Sequence, residues 1–395
     1  MIVDGIHSAT VVKPDDVAEL ASALSAANRA RHSVVLTGGG SKLSWGRTPG
    51  RVDLVLSTGR LNRMVAHRYG DLTATIESGA ALADVNRQLA RHGQWLPVDS
   101  AFPEATIGGI VATNDSGPLR HRFGTPRDLL IGVTLVLADG RIVKAGGTVV
   151  KNVAGYDLGR LVSGSFGSLA AIGTATFKLS PLAAASGTVG VLYRERAAIA
   201  RDAQLLASNQ FDFAALDVQL TPGTGGPEYR LLARVASSPA ATEAQLAAVQ
   251  RLVSGDSHLI SGPAEHDLWR DQVRAPWMEA SMTIRMAWLP DSLADVLTLL
   301  ERVGQETGAA VTFTGRAAVG AGLVRIDGTD DAAVTFVDRL RDDDAVANVV
   351  VLRASPAVKT RVDVWGAPGD SVPVMQAIKT ALDPAGILNA GRGPV

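Results

Sequence analysis

The chain has 395 residues, 46% of them hydrophobic and 19% charged, with a net charge of −1 and no cysteine. That length exceeds one ordinary core, and the composition is that of a packed protein, so two or three folded domains are expected and disorder is not. The charge balance leaves no footprint for nucleic acid, and the missing thiols exclude disulfides, thiolate-held metals, iron–sulfur ligation and cysteine nucleophiles within this chain.

The start, "MIVDGIHSATVVKPDDVAEL", lacks a basic segment followed by an apolar core. No apolar run reaches the ~18 residues of a membrane span, so a cytoplasmic location is the expectation. Pro14, Asp15 and Asp16 suit the start of a helix, with Val17, Leu20, Ala21 and Leu24 on one face. "SVVLTGGG" then reads as a buried strand that ends in glycine, and "VDLVLST" and "LTATIESGA" as two more strands. "ALADVNRQLARHG" is an amphipathic helix stopped by Gly93. "GVTLVLADGRIVKAGG" is a hairpin turning at Asp139-Gly140. "LVSGSFGSLAAIGTATFKLSP" is punctuated by glycine and ends in an alternating strand.

The rhythm changes between Pro181 and Gly187. Beyond it, two successive sets of strand-like and helical runs each have the pattern of a split βαβ unit. Residues 183–355 are therefore expected to form an antiparallel sheet with helices on one face, as two ferredoxin-like halves. A helix, a Pro-Ala-Gly turn and a short extension close the chain.

Three glycines straight after a buried strand raise two readings. One is a tight turn. The other is a concavity in which the bare N–H groups of Gly38, Gly39, Gly40, Ser41 and Lys42 face an anion. The stretch is not a P-loop, and no G-x-G-x-x-G opens a helix here.

Four further stretches bear on the choice: "LPVDSAFPEATIGGIVATNDSG", "RDLLIGVTLVLADG", "KNVAGYDLGRLVSGSFGSLAAIGTATFKL" and the terminal "LDPAGILNAGR". In this order they resemble the FAD-binding domain of the vanillyl-alcohol oxidase and D-lactate dehydrogenase type of flavoprotein. The resemblance spans roughly residues 10–182 and the tail. It implies an α+β architecture: a two-subdomain FAD-binding domain over residues 1–182, an α+β cap or substrate domain over 183–355, and a C-terminal segment, 356–395, that returns to the FAD domain. It also implies roles for particular residues. The first glycine loop would wrap the FAD pyrophosphate. Thr106, Ile107, Gly108 and Gly109 would approach it from the other side. Thr113, Asn114, Ser116 and Gly117 match the stretch beside the flavin and ribityl chain. Gly167 and Ile172 match the border of the adenosine half, and Asn389 and Arg392 the tail that returns to the flavin. Many members attach FAD through a histidine in the first loop. This loop has none, and the chain has no cysteine for the other known link, so non-covalent FAD is expected.

The Lys-Asn core at Lys151 and Asn152, followed by Gly-Tyr-Asp-Leu, is common to the D-lactate and glycolate branch. Phe166, where catalytic chains carry Glu, and Trp-Gly-x-Pro at Trp365–Pro368 look more like the FAD-binding subunit of bacterial glycolate oxidase. That resemblance implies a small 2-hydroxy acid as substrate and two partners, a larger flavoprotein and an iron–sulfur subunit, which would hold the chain at the inner face of the membrane. The alternative is a self-sufficient FAD-dependent dehydrogenase of a small 2-hydroxy acid or other alcohol. The catalytic branch's cap histidines and its Ser-x-Glu-His-Gly stretch are missing. His121 is the candidate base, its alternative being a loop residue against cofactor or partner. Arg274 and Arg285 are candidates for a substrate carboxylate, their alternative being structural or solvated arginines. His258 and His266, in an expected cap loop, have no third ligand nearby, and no metal site is expected.

Overall fold

The computed structural model describes residues 1–8, 10–148, 155–367 and 369–395. Lys151, Asn152 and Pro368, singled out above, lie outside the described residues. The chain forms two units, one made of Met1–Ser116, Phe123–Leu182 and Ala367–Val395, the other of Gly117–Arg122 and Ala183–Gly366. No helix among the described residues is long and apolar enough to cross a membrane.

In the first unit, β1 (Thr10–Val12), β2 (Val34–Thr37) and β3 (Leu54–Ser57) form a parallel sheet in the order β1-β3-β2. Parallel neighbours need crossover connections, and α1 (Val17–Ala30) lies between β1 and β2 in the chain. The Asp16 carboxylate caps α1 by accepting the Glu19 N–H at 2.8 Å. Its buried face, Leu20, Ala21, Leu24 and Ala27, shares one core with Val34, Leu54 and Leu56.

The second sheet of this unit is antiparallel: β4 (Met64–Arg68), β5 (Thr73–Glu77), β6 (Leu130–Val136), β7 (Ile142–Gly146) and β8 (Ala171–Lys178), in the order β7-β6-β8-β5-β4. The β6–β7 hairpin turns where the sequence predicts, with Gly140 at φ +91° and Ile142 opposite Val136. α2 (Leu82–Leu89) continues into a 3₁₀ turn that Gly93 ends at φ +67°. α3 (Ile107–Thr113) packs Ile107, Ile110 and Val111 into the core of this sheet.

The second unit repeats one pattern. β9 (Ala185–Tyr193), α4 (Arg196–Ala207), β10 (Phe213–Gly223), β11 (Gly226–Ser237), α5 (Pro239–Leu252) and β12 (Asp256–Ile260) are followed by α6 (Gly262–Arg274). Then come β13 (Met282–Ala287), α7 (Leu293–Thr307), β14 (Ala310–Arg316), β15 (Ala321–Asp327), α8 (Asp330–Arg341) and β16 (Asn348–Ala354). The spatial order β12-β9-β11-β10-β14-β15-β13-β16 is two ferredoxin-like halves joined at β10 and β14, where Asp217 lies opposite Arg316 and Leu220 opposite Phe313. Leu216, Val218, Ile284 and Phe313 build the main core with apolar residues of α4, α5, α7 and α8. Contrary to the expectation of helices on one face only, α6 covers the other face, with Trp269 against Ala215 and Leu232. Neither His258 nor His266 is in a loop: His258 is on β12 and His266 in α6.

Candidate functional site

The glycines after β2 answer to three separate demands. A Cβ on Gly38 would stand 2.0 Å from Thr106 Oγ1, and one on Gly39 only 1.9 Å from the Glu104 carbonyl oxygen. These two positions are bare because the segment before α3 lies directly on the loop. Gly40 is at φ +80°, a conformation that L side chains rarely adopt. The close approach is therefore first of all one of chain against chain. The N–H groups tell the other half. Those of Gly38, Gly39, Gly40, Ser41 and Lys42 have no hydrogen-bond acceptor among the described residues. Five successive free donors make a concavity suited to an anion.

The facing segment offers less. Ile107 N–H donates to Ala80 O at 2.9 Å and Gly108 N–H to Ser78 O at 2.7 Å. Gly109 N–H reaches only its own cap, Thr106 Oγ1, at 3.4 Å. A Cβ on Gly108 would meet Ser78 Cβ at 2.7 Å, whereas one on Gly109 meets nothing nearer than Thr106 Oγ1 at 3.4 Å.

The C-terminal tail closes the loop from below. Leu388 bridges Val34 in parallel, and Asn389 N–H donates to Val34 O at 2.8 Å. The Asn389 side chain accepts from Leu36 N–H at 3.2 Å and donates to Phe166 O. Asp383 fixes the turn before it, accepting from Ile387 and Leu388 N–H at 3.0 and 2.8 Å and pairing with Lys379 at 2.6 Å. Arg392 donates to Leu43 O and Trp45 O at 2.5 and 2.7 Å, and burial pushes its guanidinium down to about 10. Phe166 is held in the left-handed region at φ +55° by that Asn389 bond and by its own N–H donating to Ala112 O at 2.8 Å.

Together these segments line an open cleft in the first unit. Of the sequence-predicted residues, Gly38, Gly39, Gly40, Ser41, Lys42, Thr106, Gly108, Gly109, Thr113, Gly167, Ile172, Asn389 and Arg392 line it. Ile107 does not; its side chain is buried in the core beneath α3. Asn114 does not either; it ends α3 at φ +48° and accepts the Arg127 N–H at 3.2 Å. Ser116 and Gly117 also stand outside the lining. Sequence reasoning missed Thr37, Thr58, Ser78, Phe166, and the apolar lining Leu36, Ala112, Ala170 and Ala171. Among the described residues, Thr37 Oγ1 and Ser78 Oγ are buried on the cleft without a hydrogen-bond partner, and Lys42 Nζ has only the Asp115 carboxylate, at 2.9 Å. Among the described residues that line it, Lys42 and Arg392 bear charge and none is a carboxylate.

The three residues predicted for catalysis lie elsewhere, in the second unit. Arg274 is exposed at the end of α6, and Arg285 is half-buried on β13, opposite Leu323 and Val350. His121 packs edge-on against Phe213, ring centroids 6.3 Å apart, and its Nδ1 is buried without a partner among the described residues. The next residue, Arg122, pairs with Asp212 at 2.9 Å. Burial lowers the proton affinity of His121 below the ordinary 6.5. The folded ring thus resists a proton that the unfolded chain accepts, so its contribution to stability is lost as pH falls through about 6.5. We expect the wild type to lose more urea resistance than His121→Phe between about pH 7.5 and about pH 5.5. Equal losses in both would contradict this.

Residues 8–146 match the FAD binding domain family. They are an FAD-binding domain. A D-lactate dehydrogenase of Archaeoglobus fulgidus is 37% identical over 171 residues, 43% of this chain and 38% of that protein. Glycolate oxidase subunit GlcE of Escherichia coli K12 is 35% identical over 157 residues, 39% of this chain and 44% of its own length. The match thus spans less than half the length of either relative. An alkyldihydroxyacetonephosphate synthase shares the fold, with a TM-score of 0.73 at 16% identity over 96% of this chain and 75% of that one. The cleft suits FAD chemically. Five free N–H groups, two orphan hydroxyls and a lysine ammonium with donors to spare fit a diphosphate, and the apolar strip Leu36, Ala112, Ala170, Ala171 and Ile172 fits a flat ring.

Proposed function

We propose that the chain is the FAD-binding flavoprotein subunit of a cytoplasmic 2-hydroxy-acid oxidase or dehydrogenase complex of the glycolate type, with a larger flavoprotein and an iron–sulfur subunit as partners. The observation that carries the reading is the run of N–H groups from Gly38 to Lys42, which have no acceptor among the described residues, on a cleft whose described lining has no carboxylate. Those groups hold the diphosphate. Thr37, Ser78 and Thr113 supply hydroxyls, and the apolar strip excludes water from the ring. The names of the relatives, a D-lactate dehydrogenase and a glycolate oxidase subunit, support the substrate class.

Bound FAD supplies the hydride acceptor. The protein's share in oxidising a 2-hydroxy acid is to hold the carboxylate, orient Cα and take the hydroxyl proton. Arg274 and Arg285 are the proposed carboxylate partners, since a guanidinium pairs with a carboxylate through two parallel bonds. On the self-sufficient reading His121 is the candidate base, since its half-buried ring is held neutral by burial. The test is anaerobic bleaching by glycolate or D-lactate, for the chain alone and with the two partner subunits. Bleaching only in the complex supports the subunit reading, and rapid bleaching of the chain alone the self-sufficient dehydrogenase.

Among the described residues that line the cleft there is neither histidine nor cysteine. Acid precipitation of the yellow protein is therefore expected to leave all flavin in the supernatant. Flavin fluorescence migrating with the denatured polypeptide would contradict non-covalent binding.

A further inference from the structure

Lys42 follows the glycine loop and is paired in an unusual way. Its Nζ lies 2.9 Å from Asp115 Oδ2, and the two side chains are 7% and 10% exposed. The ammonium also sits 5.5 Å from the Trp45 ring centroid and 5.2 Å from that of Phe102. Trp45 and Phe102 are themselves in edge contact, 6.2 Å apart. Two aromatic faces soften the burial of a cation but accept no conventional hydrogen bond. Apart from the Asp115 contact, Nζ has no acceptor among the described residues, although an ammonium carries three donors. Asp115 Oδ2 is shared, since it also accepts the Ser100 hydroxyl at 3.2 Å.

The pair is asymmetric toward the cleft. Lys42 lines it and Asp115 does not. The other lining cation, Arg392, donates to the carbonyls of Leu43 and Trp45 and so braces the loop. Lys42 has donors left over and is held in place beside the free N–H groups of its own loop.

We propose that Asp115 is a stand-in counter-ion, and that the diphosphate of the bound cofactor takes over the Lys42 ammonium. The inference rests on reading the cleft as the FAD site. It assigns Lys42 as a cofactor-binding residue through its side chain and Asp115 as a positioning residue that acts through Lys42. A buried cation needs a partner in either state. Asp115 provides it when the cleft is empty, which stabilises the FAD-free protein. By linkage, whatever stabilises the FAD-free form lowers the affinity for FAD.

Two substitutions therefore act in opposite directions on FAD. Lys42→Met removes a charge-assisted bond and weakens FAD binding by about ten- to a hundredfold. Asp115→Asn keeps the shape and an accepting oxygen but not the charge. It tightens FAD binding several-fold while lowering the melting temperature of the FAD-free protein. The experiment is a fluorescence titration of FAD into flavin-free full-length wild type, Lys42→Met, Lys42→Arg and Asp115→Asn, with melting curves of each. Riboflavin, which lacks phosphate, is the control and is expected to bind all four alike. Lys42→Arg, which keeps the cation, is expected to recover most of the affinity. If Lys42→Met and Asp115→Asn weaken FAD equally, or neither changes it, the pair is a structural ion pair and the proposal is overturned. If wild type binds no FAD, the reading of the cleft itself has failed.

Discussion

Aspartate in place of Gly109 is expected to leave the chain folded and strip it of FAD. Gly109 lines the cleft, and a Cβ there meets only Thr106 Oγ1 at 3.4 Å, an ordinary contact. It is the third residue after the cap Thr106 in α3, where a carboxylate suits the helix N-terminal end. The fold thus has no reason to resist. The cofactor does, because the new charge faces a diphosphate across a partly water-excluded cleft. A loss of at least about a hundredfold in FAD affinity is expected, about 2.7 kcal/mol. Gly39 is the less informative target. Its Cβ would collide with the Glu104 carbonyl at 1.9 Å, so Gly39→Asp should destabilise the loop whether or not a phosphate lies there. Flavin titration with a parallel thermal melt separates the two cases. Wild-type affinity in a folded Gly109→Asp protein would show that the diphosphate lies elsewhere.

Flavin reduction by glycolate or D-lactate is expected to be slower by about 10²–10⁴ in this chain alone than in a complex containing a catalytic flavoprotein, the range for a missing general base. Among the described residues lining the cleft there is no histidine and no carboxylate to take the hydroxyl proton. Nor do three His, Cys, Asp or Glu residues gather anywhere among the described residues to hold a metal. His121 is the residue able to reverse this expectation, being half-buried and biased toward the neutral ring. Stopped-flow bleaching settles the point. Rapid bleaching by the chain alone, abolished in His121→Ala with FAD still bound, would make it a complete enzyme.

Much of the frame was legible because its signals are local. An apolar run followed by glycine marked β2, Asp139-Gly140 marked the hairpin, and the alternation of runs beyond residue 183 gave both ferredoxin-like halves. α3 was not legible as a helix. Two glycines and several β-branched residues give "TIGGIVAT" poor intrinsic propensity, and the segment is helical because Ile107, Ile110 and Val111 bury against the second sheet. The cause of Gly38 and Gly39 was also hidden, since the atoms that forbid a side chain belong to Glu104 and Thr106, far along the chain. Asp115 drew no attention beside Asn114 and Ser116, yet it is the residue that reaches Lys42. Phe166 stood out in sequence as a departure from glutamate, but its left-handed backbone and its tie to Asn389 are products of tertiary contact.

The central claim is that the Gly38–Lys42 cleft holds FAD. A flavin-binding titration of the full chain, freed of any bound cofactor, tests it most directly. Saturation at one FAD per chain, with the visible spectrum of bound oxidised flavin, is the predicted result. Absence of saturable FAD binding by the folded chain would contradict it.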